Sequence, residues 1–360
     1  MRILLVTDAW HPQVNGVVRT LTRTIKGLRD KGHKVMCLTP EGHRTIPMPT
    51  YPEIRLALVT PGEVSRRVRV FDPECIHIAT EGPLGWMARR HCLKHGLAFT
   101  TSFHSRFPEM LVNRLPVPGL ERLAYALLRQ FHGPADATLV PTPTVTRRLT
   151  GLRFSNLKTW TRGVDMDLFK PSTSDVFGGL VRPVMLCAGR VAVEKNIGAF
   201  LEADVPGSKV VVGDGPQLAD LKQRYPDVVF TGYRTGDDLS RALASADVFV
   251  FPSRTDTFGL VMLEALACGV PVAAYPVEGP IDVITSSRAG VLDDDLGVAI
   301  SKALTLDRQD CIDFAGTFSW DRVTDQFEAS LVPANRNPPD HRRAAAGRGF
   351  PASHTSNTGA

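Results

Sequence analysis

The sequence predicts an α/β protein made of two doubly wound, Rossmann-like units in tandem. Three observations predict it. Short apolar, β-branched runs alternate with helix-period stretches from the first residue onward, which argues for parallel sheets covered by helices on both faces. The alternation breaks once, at the Pro-, Gly- and Ser/Thr-containing stretch Leu168–Arg182, and then resumes. A chain of 360 residues also suits two domains better than one.

Residues 1–170 are expected to form the first unit. Its buried strands read as Ile3–Thr7, Lys34–Thr39, Glu74–Ala79, Ala98–Ser102 and Asp136–Pro141, with helices at Val17–Lys31, Leu84–His95 and Leu120–Phe131. The second unit is expected over 183–317. Its strands read as Val184–Ala188, Lys209–Val212, Val228–Thr231, Asp247–Phe251 and Val270–Ala274. Helices are expected at Gln217–Gln223, Asp238–Ala244, Phe258–Ala267 and Gly297–Leu304, and a last amphipathic one at Phe318–Leu331. Residues 333–360 hold almost nothing to bury and are expected to form a disordered tail.

Composition excludes several classes. The six cysteines are widely spaced with no C-x-x-C pair, which reads as reduced thiols of a cytosolic protein rather than a disulfide framework or a zinc site. No apolar run is long enough to span a bilayer, and the opening stretch is too short for a signal peptide. The net charge of +5 hides an asymmetry: residues 1–170 carry 25 basic against 13 acidic side chains, the remainder 17 against 24. A basic first half attracts nucleic acid, anionic lipid or anionic substrate, or is simply a solvated surface. The chain shows no aromatic-plus-basic stacking platform, which disfavours nucleic acid as a partner.

Ligands of open α/β sheets bind beyond the carboxyl ends of the strands, and the unusual residues fall there. After the first strand, Asn15-Gly16 opens a helix. A glycine at a helix entry admits a phosphate to the backbone amides, or is merely a turn. No G-x-G-x-x-G is present, which argues against a dinucleotide cofactor. His104 follows the strand ending at Ser102 and is either structural or a hydrogen-bonding group for a sugar. Gly189, Arg190 and Lys195 follow the first strand of the second unit and suit a diphosphate, or form a solvated basic loop.

Asp256 and Glu264 are eight residues apart, one before a helix and one about two turns into it. Glu264 has apolar helical neighbours, so it needs partners; sugar or ribose hydroxyls supply them, or a structural Arg or Lys does. Asp256 is either a sugar ligand or an ordinary helix cap. The amides of Phe258, Gly259 and Leu260 are donors for phosphate or sugar oxygens. Gly215 and Tyr233 lie in two glycine-containing turns that frame a nucleobase or are plain turns.

Taken in order, these motifs resemble the large retaining glycosyltransferase family of GT-B fold, which includes phosphatidylinositol mannosyltransferases, sulfoquinovosyl-lipid synthases and bacterial glycolipid synthases. The resemblance covers roughly residues 1–332. It implies two Rossmann-like domains facing each other across a cleft, the first an acceptor domain completed by the C-terminal helix 318–332, the second a nucleotide-sugar domain. It places Gly16 at the donor phosphate, His104 near the transferred sugar, and Arg190 and Lys195 on the diphosphate. Glu264 matches the ribose-binding second acid of the family's E-x7-E signature. Asp256 stands where the first acid, a Glu that contacts the sugar, is usual, and is one methylene shorter.

The implied reaction moves a hexosyl unit, with retention and without a metal or cofactor, from UDP-glucose, UDP-glucuronate or GDP-mannose to a lipid or polyol hydroxyl such as that of diacylglycerol. The implied location is peripheral, at the cytoplasmic face of the cell membrane. The clusters Arg66, Arg67, Arg69 with Val64, Val68, Val70, and Arg89, Arg90 beside Met87, are expected to meet an anionic membrane. The competing readings are a non-hydrolysing nucleotide-sugar epimerase and a non-catalytic basic binding module.

Overall fold

The computed structural model describes residues 1–13, 15–48, 51–104, 106–114 and 117–335. The first half contains β1 (Arg2–Val6), β2 (Lys34–Leu38), β3 (Thr45–Met48), β4 (Tyr51–Ala57), β5 (Cys75–Ile78), β6 (Thr100–Ser102), β7 (Ala137–Val140) and β8 (Leu157–Thr159). A parallel sheet runs in the order β2-β1-β5-β6-β7-β8, and β3 and β4 pair antiparallel beside it. The second half contains β9 (Val184–Ala188), β10 (Ser208–Val212), β11 (Val229–Gly232), β12 (Val248–Phe251), β13 (Val272–Ala274) and β14 (Gly290–Leu292), parallel in the order β11-β10-β9-β12-β13-β14. The two sheets are related but not identical: one strand, β2, lies outside β1 in the first, and two, β10 and β11, lie outside β9 in the second. In each, the strand order reverses beside the first strand, between β1 and β5 and between β9 and β12, which opens a crevice at the carboxyl ends there.

Strands β1, β9 and β12 are apolar in their buried positions because both faces are covered, whereas β5 and β6 bury His77, Thr100, Thr101 and Ser102, which hydrogen-bond to one another or to neighbouring strands. Leu4 and Val6 pack on Val64, Val68, Leu84, Phe99 and Phe131. Ile3 and Leu5 point the other way, onto Leu21, Ile25, Trp160, Val323 and Phe327. Local signals set the helix starts around the crevice. Asn15 accepts hydrogen bonds from the Val17 and Val18 amides at 3.0 Å and caps helix Gly16–Asp30. The Asp8 carboxylate, at the end of β1, accepts from Leu84 N at 3.0 Å and Gly85 N at 3.2 Å and so holds the start of helix Pro83–His95. Burial pushes Asp8 up to about 6, against the pull of those amides.

The last helix, Trp320–Ser330, crosses back to the first unit. Val323 and Phe327 enter that unit's core, Trp160 Nε1 donates to the Val323 carbonyl at 3.1 Å, and Lys31 pairs with Asp325 and Glu328.

Three expectations need correction. The tail was placed from residue 333, but Pro333 bridges Cys75, Asn335 bridges Leu97, and Ala334 is buried; residues 336–360 lie outside the described residues. The stretch Leu168–Arg182 has the composition of a linker, but it packs in part: Phe169 and Phe177 are buried in the second unit's core. The basic–apolar mixture at 64–70 is a helix, Pro61–Phe71, whose Val64 and Val68 face inward, leaving Val70, Arg66 and Arg69 exposed. Arg89 lies over the Trp86 ring and donates to the Phe131 carbonyl at 3.0 Å, a structural role. Among the described residues no helix is long and apolar enough to cross a membrane.

Candidate functional site

The switch-point crevices of the two sheets face each other, and side chains from both meet in the gap. On the second unit, the loop after β9 carries Gly189, Arg190 and Lys195, and the loop after β12 carries Asp256. Ser253 Oγ and Thr255 Oγ1 both donate to the Glu194 carbonyl at 3.2 Å, and Asn196 Nδ2 donates to the Pro252 carbonyl at 3.1 Å. These bonds stitch the two loops together. Lys195 Nζ then lies 2.7 and 2.8 Å from the two Asp256 carboxylate oxygens. Arg190 lies 3.4 Å from Glu194, whose side chain is nearly buried.

Asp256 is not a helix cap. Helix Leu260–Ala267 is entered through Gly259 in the left-handed region, with no side chain capping it. Its first amides are therefore available to an anion or a hydroxyl. The Phe258 side chain is buried in the second unit's core, so only its backbone belongs to the gap. Glu264 is 4% exposed and its partner comes from the opposite unit: Arg19, on the first turn of helix Gly16–Asp30. That pair uses Oε1; Oε2 has no partner among the described residues. Burial raises the Glu264 carboxyl above its ordinary range, and Arg19 opposes the rise.

Gly16 faces the same helix. A Cβ built on it would meet Leu260 Cδ1 at 3.6 Å. His104 lies at the end of β6, and its carbonyl accepts from Thr257 Oγ1 at 2.9 Å, beside Asp256. Burial holds its ring well below the ordinary histidine range, helped by Arg162, His77 and His132. Gly215 belongs to a turn pressed against the β9 loop. Val191 N donates to the Asp214 carbonyl at 2.8 Å, and a Cβ on Gly213 or Gly215 would strike the Gly189 or Val191 carbonyl. Both glycines also sit at positive φ, so backbone packing is enough to require them. Tyr233 is exposed as a residue; partial burial of its hydroxyl raises it above the ordinary tyrosine range, and the charge of Arg19 opposes the rise.

The geometry thus brings Gly16, His104, Lys195, Asp256, Leu260 and Glu264 to one gap. It adds residues the sequence reading missed. Arg19 has no local signature. Arg106 and Arg148 reach Glu278 of the second unit at 3.5 and 3.4 Å, and Thr144 Oγ1 donates to Asp282 at 2.9 Å. The glycine of Glu278-Gly279-Pro280, after β13, was the available signal for the last group.

Comparison with known proteins agrees with this arrangement. Residues 14–168 match the glycosyltransferase family 4 model and residues 182–305 the glycosyl transferases group 1 model. The chain is 31% identical, over 81% of its length and 83% of the relative's, to a GDP-mannose-dependent alpha-mannosyltransferase of Mycobacterium tuberculosis. It is 26% identical, over 76% of its length and 79% of the relative's, to the alpha-monoglucosyldiacylglycerol synthase of Acholeplasma laidlawii. Its fold is similar to that of sucrose-phosphate synthase from Thermosynechococcus elongatus, with a TM-score of 0.71 at 19% identity over 96% of this chain and 100% of that one. Nothing among these relatives favours an epimerase or a non-catalytic module.

Proposed function

The chain belongs to the group 1 and family 4 glycosyltransferases, and from that premise we propose that it moves a hexosyl unit to a lipid hydroxyl, with retention of configuration and without a metal. Membership carries the enzyme class, the GT-B fold and a nucleotide-sugar donor. GDP-mannose is the favoured donor, because a relative above 30% identity that covers most of the chain uses it. The lipid acceptor, diacylglycerol-like, is favoured by the glucosylating relative.

One observation carries the reading: pairs of opposite charge, Arg190–Glu194, Lys195–Asp256 and Arg19–Glu264, line a gap that also holds an uncapped helix start. A diphosphate is the ligand that exchanges with such pairs. Its oxygens take Arg190, Lys195 and the Leu260 and Val261 amides, with the start of helix Gly16–Asp30 facing them. Asp256, freed from Lys195, accepts from sugar hydroxyls, and Glu264 from ribose hydroxyls. Gly215 and Tyr233 border the base.

As the C1–O bond to the β-phosphate breaks, the cations and amides hold the leaving charge. The acceptor oxygen joins C1 from the face being vacated, and its proton passes to the departing phosphate oxygen. Thermal unfolding with GDP-mannose, UDP-glucose and UDP-glucuronate tests the donor. A ligand at a hundred times its Kd adds about 2.7 kcal/mol. Lys195→Ala is expected to lower turnover about tenfold or more while EDTA leaves the wild type unchanged. A fully active, folded Lys195→Ala protein would remove the diphosphate role.

The first unit is read as docking peripherally on the cytoplasmic, anionic face of a membrane. Its basic excess supports this, as do the exposed Val117, Leu123 and Leu127. Salt-sensitive sedimentation with phosphatidylglycerol vesicles is the expected result. No binding at low salt would refute it.

A further inference from the structure

We infer that Arg162 is a positioning residue: it fixes the tautomer of His104, so that the ring offers Nε2–H to an oxygen of the donor sugar and cannot serve as the reaction's base. Arg162 follows β8 and is 5% exposed. Its Nη1 donates to the Trp160 carbonyl at 2.6 Å and the Thr161 carbonyl at 3.0 Å, and its guanidinium lies 4.5 Å from the centre of the Trp160 ring. Those contacts leave it little freedom. Its Nη2 is 3.3 Å from His104 Nδ1.

A guanidinium has donors and no acceptor, so Nδ1 must accept. A neutral imidazole that accepts at Nδ1 carries its proton on Nε2. The doubly protonated ring would set an N–H against an N–H, beside a fixed positive charge. Burial lowers Arg162 to about 9, still above neutral, so it stays a cationic donor. The titratable groups acting on His104 are Arg162, His77 and His132, and all three oppose its protonation. Trp160 packs edge-on against the ring at 5.8 Å and brings no charge.

His104 Nε2 is buried and has no partner among the described residues. An unpaired buried N–H is costly. Thr257 holds the His104 backbone against the loop of Asp256, so the oxygen that satisfies Nε2–H comes from what enters between them. On the reading of this gap as the nucleotide-sugar site, that is a hydroxyl or ring oxygen of the hexose. A nitrogen already bearing its proton cannot take one from the acceptor, which leaves the departing phosphate for that task.

The test is a long-range proton–nitrogen spectrum of the full-length, donor-free protein labelled at histidine, from about pH 5.5 to 8. The His104 signals are identified by their loss in His104→Gln. Nε2 protonated and Nδ1 bare across the range is the expected result. A proton on Nδ1, or an imidazolium at neutral pH, overturns the inference whether or not the variants fold. In Arg162→Met, which offers no donor, the ring is expected to mix its two neutral tautomers. Unchanged signals there would deny Arg162 its role.

Turnover supplies the second arm. His104→Gln keeps a donor nitrogen near the Nε2 position and is expected to retain about tenfold more kcat than His104→Leu, with little difference in donor KM. Equal loss in both, with the wild-type spectrum as expected, would overturn the sugar contact alone. Absence of any donor-dependent turnover in the wild type would instead count against the glycosyltransfer reading of the gap.

Discussion

Arg19 carries a charge across the gap to a buried glutamate, and its removal separates two accounts of that glutamate. A buried carboxylate without a partner is destabilising. Arg19→Ala is therefore expected to lower donor-free stability by about 1.5–3 kcal/mol, the range for a hydrogen bond to a charged group. If ribose hydroxyls are the alternative partners of Glu264, nucleoside diphosphate should recover more of the variant's melting temperature than it adds to the wild type. Equal increments in the two proteins would mean that Glu264 is structural. The same site shows what a sequence can express. Glu264 was legible because an acid amid apolar helical neighbours demands a partner, and Arg190, Lys195 and Asp256 because they stand at strand ends. Arg19 was not legible: it is one more arginine on the outer face of an amphipathic helix, 245 residues from its partner. Arg162 was hidden for the same reason, since only folding brings it to His104.

At the scale of elements, the central strands were readable because burial on both faces leaves an unbroken apolar run, as in Val184–Ala188. The β3–β4 hairpin was not, because Pro47 falls within β3 and Ile46 is exposed, which weakens the strand pattern. Helix Pro61–Phe71 did carry a start signal, Thr60-Pro61-Gly62-Glu63, and the Thr60 hydroxyl does accept from Glu63 N at 3.3 Å. Its two inward valines are few beside its arginines, so the charges dominated the reading. The helix expected over Leu120–Phe131 spans Leu120–His132, and the sequence pattern does not separate its two apolar faces. Ala124, Tyr125, Leu128 and Phe131 are buried, whereas Leu123 and Leu127, one turn apart, are about half exposed beside Arg122. This face, rather than helix Pro61–Phe71, is expected to meet lipid. Leu123→Ser with Leu127→Ser should weaken vesicle sedimentation several-fold without changing the melting temperature, because neither side chain belongs to the core. Undiminished sedimentation would move the contact to another surface of the first unit.

The molecule as a whole stands with its gap bridged. Arg106 and Arg148 share Glu278 across it, Thr144 holds Asp282, Thr257 holds the His104 carbonyl, and Arg19 holds Glu264. The Arg19–Glu264 bridge lies at a residue proposed to bind donor, whereas Glu278 follows β13 and Asp282 lies in the short helix Pro280–Val283, and neither is a proposed donor ligand. A donor must displace Arg19 from Glu264 and can keep the other bridges, so the Glu278 cluster is the part of the interface that can favour closure with or without ligand. Each such charged contact, partly screened, is worth about 1–3 kcal/mol. About 1.4 kcal/mol shifts a two-state equilibrium tenfold. Glu278→Gln removes one charge from two arginines at once and is expected to open the donor-free molecule, seen as a larger radius of gyration in solution scattering. Saturating nucleotide sugar should restore the wild-type value, and donor KM should rise several-fold with kcat less affected, because binding must then supply the closure that the ion pairs supplied before. A variant with unaltered scattering and unaltered KM would show that the two units are held together by the gap's own residues and the returning C-terminal helix, with Glu278 contributing nothing to their balance.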